Sequence, residues 1–80
     1  MGIIRAILHD IMRRGNNVVY HQEQNQAKSV AYKQTGKDIK KAKKKGTYIN
    51  AKNRYQAHLK RNLQRAEENK ERRDKFIDET

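Results

Sequence analysis

Lys37–Arg65 reads KDIKKAKKKGTYINAKNRYQAHLKRNLQR, with a single glycine at Gly46. Three lysines precede that glycine, and cations suit the last turn of a helix, where the exposed carbonyls carry partial negative charge. Asp38 fits as the N-cap of a short helix, IKKAKKK, that Gly46 ends. Thr47 fits as the cap of the next helix, which runs from Tyr48 to about Asp78 with no Gly or Pro to interrupt it. Tyr48, Ala51, Tyr55, Leu59, Leu63 and Ala66 step along one side of it at helical spacing and form a narrow apolar stripe. The segment therefore reads as two helices about a break at Gly46, and the chain as all-α.

The same stretch holds eleven Lys or Arg against one acid, Asp38, and carries +10 of the net charge of +11. Residues 1–36 add +3 and residues 66–80 subtract 2. A solvated face mixes signs, as residues 67–79 do; this segment does not. Concentrated positive charge predicts a polyanionic partner, with nucleic acid the first expectation. At 100° per residue Arg54, His58, Arg61 and Arg65 fall on a second stripe, a quarter-turn or more from the apolar one. Lys40, Lys41, Lys43, Lys44 and Lys45 form a cluster before it, and Lys52 and Lys60 lie at its margins. These side chains are the candidate phosphate contacts. Tyr48 and Tyr55 share the apolar stripe and read as packing residues. No zinc-finger spacing, aromatic RNA-binding segment or GXXG loop is present, so binding to the backbone of RNA or DNA without strong sequence specificity is expected.

Working outward, Glu68 with Arg72, Glu71 with Lys75 and Lys70 with Asp74 are spaced i,i+4 and sustain the helix beyond Ala66. Toward the N-terminus, Ile3, Ile4, Ile7, Leu8, Ile11 and Met12 share one face of GIIRAILHDIMRR, residues 2–14. This amphipathic helix predicts docking on a protein partner or on a second copy of the chain. With arginines on its other face it is also similar to short cationic amphipathic peptides, and a membrane surface is the weaker alternative. Gly15, Asn16 and Asn17 predict a C-cap and turn. In residues 17–35 Val18–Tyr20 favour strand, whereas Tyr20, Gln24, Ala27 and Ala31 step at helical intervals. With no second strand to pair with, a middle helix is favoured, ending at Thr35-Gly36. The expected architecture is one small domain. It comprises an amphipathic docking helix (1–16), a middle segment (17–36), a basic nucleic-acid-contacting region (37–65) and a charge-paired helix end (66–80).

Leu, Ile, Val and Phe number fourteen of 80 residues, too few for a thick independent core in so charged a chain. An extended or partner-stabilised shape follows. With no cysteine, disulfides and thiolate metal sites are excluded. No apolar run nears the ~20 residues of a membrane span, and no secretory signal is recognisable. A cytoplasmic or virion-internal location is expected. His9, His21 and His58 sit on separate segments, Ser29 has no local base, and no glycine-rich phosphate loop occurs. No enzyme activity, metal or cofactor is expected. The leading expectation is a nucleic-acid-binding protein within a larger complex. A small structural or adaptor subunit of an assembly such as a phage virion is the alternative. The short basic helical form is shared by many ribosome-associated proteins and virion components, a class-level analogy.

Overall fold

A computed structural model describes residues 2–80. Two helices account for nearly all of them: α1, Gly2–Lys45, and α2, Ala51–Glu79. They pack against each other as an antiparallel hairpin. The molecule is a rod of 66 × 16 × 15 Å with a radius of gyration of 18.5 Å. A compact chain of this length has a radius near 11.6 Å. The 44 residues of α1 account for the full length at about 1.5 Å per residue.

The expected all-α class and extended shape hold, but the chain has two helices, not three. α1 runs unbroken through both predicted interruptions, Gly15–Asn17 and Thr35-Gly36. One residue of each expected interruption, Asn16 and Thr35, is occupied in the seam between the helices. Asn16 is buried and bonds across to α2: its Nδ2 donates to Asp74 Oδ1 (2.6 Å) and to the Lys70 carbonyl (3.3 Å), and its Oδ1 accepts from Arg73 Nε. Thr35, also buried, returns its hydroxyl to the Ala31 carbonyl at 2.8 Å. Each glycine costs the helix about 1 kcal/mol relative to alanine, which a seam of this length overrides. Asp38 is not an N-cap but a mid-helix residue facing α2.

Gly46 does end α1. Its φ of +68° is the left-handed conformation that glycine adopts without steric cost. Thr47 N–H bonds to the Ala42 carbonyl (2.9 Å) and Gly46 N–H to that of Lys43 (3.3 Å), a Schellman closure of the last turn. The cap of α2 is Asn50 rather than Thr47: its side chain accepts from the Asn53 N–H at 3.2 Å. Tyr48 thus belongs to the turn and is 94% exposed, off the stripe assigned to it.

The seam is built from small residues. Its buried apolar members are Ala27, Ala31, Ala42, Ala66 and, near the far end, Ile77. Side chains short enough to let the helices approach also bring amides onto the opposite backbone, and Asn62 Nδ2 reaches both the Ala27 carbonyl (3.3 Å) and Gln34 Oε1 (3.2 Å). Inward-facing positions recur every eleven residues: Asn16, Ala27 and Asp38, or Tyr20, Ala31 and Ala42, on α1, and Tyr55, Ala66 and Ile77 on α2. Eleven residues in three turns is 3.67 per turn, a period that favours a slight right-handed supercoil over the left-handed one of a seven-residue repeat. At the open end Arg13 meets Asp78 at 3.2 Å, and Arg5 reaches back to the Thr80 carbonyl (2.6 Å). Residues 2 to about 10 project past α2, roughly 12 Å of helix.

Two substitutions test the continuous α1 and its close seam by thermal melts followed by circular dichroism. Gly36→Ala, whose new Cβ meets nothing within 4 Å, raises stability by about 0.5–1 kcal/mol. Ala31→Leu, at a fully enclosed position, lowers it by about 1–3 kcal/mol because the helices must separate. A loss of stability in Gly36→Ala would mean that α1 breaks there.

Candidate nucleic-acid interface

The Schellman turn folds Lys37–Arg65 back on itself, so its cations gather at one end of the rod. Lys37–Lys45 supply the last turns of α1 and Lys52–Arg65 the first turns of α2. Lys40, Lys41, Lys43, Lys44, Lys45, Lys52, Arg54, Lys60, Arg61 and Arg65 are all exposed. None of them takes part in any ion pair found among the described residues. Three of the five arginines elsewhere contrast with them: Arg13 pairs with Asp78, Arg14 with Asp10 (3.0 Å) and Arg73 with Glu23 (2.7 Å).

The one acid in the segment is occupied from within. Asp38 Oδ2 lies 2.7 Å from His58 Nε2, both side chains largely covered in the seam at 27% and 17% exposure. The His58 hydrogen bond holds the Asp38 carboxyl below the ordinary carboxylate range, against the effect of burial, with Arg54 and Lys41 adding attraction. His58, placed by its spacing on the arginine stripe, is thereby turned inward and orients the seam beneath that stripe.

The outward cations fall into ridges. On α1, Lys33, Lys37, Lys40 and Lys44 lie within about 60° of one another around the helix axis. On α2, Arg54, Arg61 and Arg65 lie within about 40°, spread over roughly 16 Å. A shallow cleft brings the two helices' cations together, with Lys41 and Lys45 on one wall and Arg54 on the other. Arg65 flanks the continuation of the same side, beside Val30 and Asn62. Lys60 and Lys52 border the opposite side of the hairpin, where the half-covered Leu59, Leu63 and Tyr55 lie. The cations therefore surround the end of the rod and are densest on one flank.

Lys33 lies outside the dense segment and Lys37 at its edge, and neither is among the expected contacts, although their spacing from Lys40 and Lys44 carries the signal once α1 is continuous through Gly36. The tyrosines divide. Tyr55 packs on Tyr32 with ring centroids 4.7 Å apart, as a packing residue does. Tyr48 stands free at the turn between the two groups of cations, where an aromatic face is open to stack on a base. Among the described residues no three His, Asp or Glu side chains converge as a metal site, and no helix is long and apolar enough to cross a membrane. No family model, curated protein or solved structure matches the chain.

The Asp38–His58 pair makes a pH prediction. Because the folded carboxyl is lowered from its ordinary 3.8, its stabilisation is fully present above that value and is lost as pH falls through the lowered one. Asp38→Asn is therefore less stable than the parent at pH 5, and the gap closes as pH drops below 3.8. Urea melts of both proteins across that range check it. A gap that stays constant would mean that the carboxylate charge contributes nothing to the seam.

Proposed function

We propose that the chain is a non-enzymatic nucleic-acid-binding protein that grips the phosphate backbone with the turn end of the hairpin, as part of a larger complex. The observation that carries this reading is the set of unpaired cations at that end, above a sole acid already engaged by His58. Arginine forks suit bidentate phosphate contact, and the lysines supply additional point charges. The helical walls fix the spacing of the charges, so less order has to be imposed on binding. The contacts are to phosphate and sugar, with no element shaped to enter a groove and read bases.

A structural or adaptor subunit is the second reading, favoured by the uncovered aliphatic face of α1: Ile3, Ile4, Ile7, Leu8 and Ile11 are 46–78% exposed, and Met12 is half-buried. The two readings are compatible, since the aliphatic face and the cations lie toward opposite ends of the rod. Membrane-surface binding is less well supported. Arg5, Arg13 and Arg14, the cations that would meet anionic headgroups, are only three, and they share their charge with Thr80, Asp78 and Asp10 in exposed contacts.

Fluorescence anisotropy with short DNA and RNA duplexes across a salt series tests the first reading. With about six phosphates neutralised, log affinity falls against log salt with a slope near −5. Replacing Arg54, Arg61 and Arg65 together by Ala makes the slope shallower by about 2.7, whereas replacing Arg13 and Arg14 leaves it unchanged. A salt-insensitive or absent interaction would end the proposal.

A further inference from the structure

The flank of the hairpin across from the arginine ridge has an aromatic floor. Tyr32 packs on Tyr55, with 4.7 Å between ring centroids, yet Tyr32 is still 70% exposed. A ring that served packing alone would be covered. Beside the pair lies an open cleft of about 380 Å³, lined also by Gly36, Ile39 and Lys52. Gly36 has nothing within 4 Å of where a Cβ would stand, so its missing side chain is part of that space. A glycine that caps nothing in a continuous α1 thereby gains a role, since it lets a ligand approach the helix backbone.

Exposed lysines border both walls. On α1, Lys28, Tyr32, Ile39 and Lys43 lie within about 60° of one another around the axis, so Lys28 and Lys43 stand before and after the ring. On α2, Lys52 and Lys60 edge the cleft and its continuation along Leu59 and Leu63. None of these four lysines takes part in any ion pair found among the described residues. Among the described residues the sole acid lining either cleft is Glu67, at the end away from the turn.

We infer that this flank is a stacking platform for the unpaired bases of single-stranded nucleic acid, with a base against Tyr32 over Gly36 and phosphates on the bordering lysines. The inference rests on the nucleic-acid reading and narrows it to strands whose bases are free. An aromatic floor between rows of cations is the arrangement that holds a single strand. Stacking tolerates any sequence because every base has a π-face, so it adds affinity without the base-edge reading that the rod lacks. Four lysines against one glutamate select an anionic occupant. A docked amphipathic helix needs a continuous apolar groove, whereas Gln24, Gln56 and Gln64 interrupt this one with amides that suit sugars and base edges. A strand that follows the cations around the turn end reaches both flanks of a rod 15–16 Å thick.

Fluorescence anisotropy with labelled oligo(dT), alone and annealed to oligo(dA), is the test. At equal salt the single strand binds more tightly than the duplex. Tyr32→Ala weakens binding of the single strand by about tenfold and of the duplex by less than about twofold, and Tyr32→Phe keeps the parental affinities. Gly36→Leu keeps every cation, fills the cleft and has the same selective effect, with helical circular dichroism retained. The chain has no tryptophan, so Tyr32→Trp supplies a single reporter. Its fluorescence is quenched by oligo(dT) and not by the duplex, a readout that stands even where Gly36→Leu fails to fold. The inference is overturned by single-strand binding indifferent to both Tyr32→Ala and Gly36→Leu, or by a tryptophan unquenched at saturation. Quenching that grows with protein concentration in the absence of nucleic acid would overturn it in favour of a protein surface on this flank. Strand and duplex bound equally would fault this inference and leave the nucleic-acid reading standing, whereas binding of neither ends both.

Discussion

Close approach of two helices over alanine is the constraint from which the rest of this molecule follows. Ala27, Ala31, Ala42 and Ala66 take up so little room that backbone and amide groups come within hydrogen-bonding reach across the seam. The seam then depends on polar side chains as much as on apolar burial. Asn16, Glu23, Gln34, Asp38, His58, Asn62, Asn69, Arg73 and Asp74 are all engaged across it. Buried polar groups are costly when left unpaired, so such a seam specifies its register sharply. A slip of one residue would separate Asn16 from Asp74 and His58 from Asp38 together.

A seam of small residues leaves the large ones elsewhere. Ile3, Ile4, Ile7, Leu8, Ile11, Val18 and Val19 stay in solvent because a two-helix rod has only one inward face, and alanines and amides fill it. The same geometry clears the cationic end. With Asp38 drawn to His58, and the acids of residues 66–80 carried toward the open end of the hairpin, nothing remains near the turn to neutralise its lysines and arginines. The rod is polarised, cationic at the turn and aliphatic toward the open end, and both properties trace to how α2 lies along α1.

Much of this was legible residue by residue. Gly46 after three lysines marked the end of α1 because glycine adopts a positive φ without strain. The unbroken run from Tyr48 marked α2, three residues ahead of its start at Ala51, and the isoleucine spacing marked an amphipathic face. The breaks expected at Gly15–Asn17 and Thr35-Gly36 fail to form for one shared reason. Glycine and asparagine make a turn only where local preference prevails, and here long-range pairing outweighs it. Of the three i,i+4 pairs expected in α2, only Lys70–Asp74 forms, at 3.7 Å. Exposed pairs of that kind are worth a few tenths of a kcal/mol and hold no fixed geometry.

The sequence by itself determined the all-α class, the break at Gly46, the confinement of charge to Lys37–Arg65 and the lack of a thick core, because each depends on local preference or simple composition. The tertiary structure decided which faces meet, and so which cations stand free, that His58 turns inward and that Tyr48 does not. Those outcomes depend on an eleven-residue period of small and amide side chains, which carries no strong hydrophobic signal along one helix. It becomes readable only when a second helix, tens of residues away in the chain, supplies the partners that satisfy it.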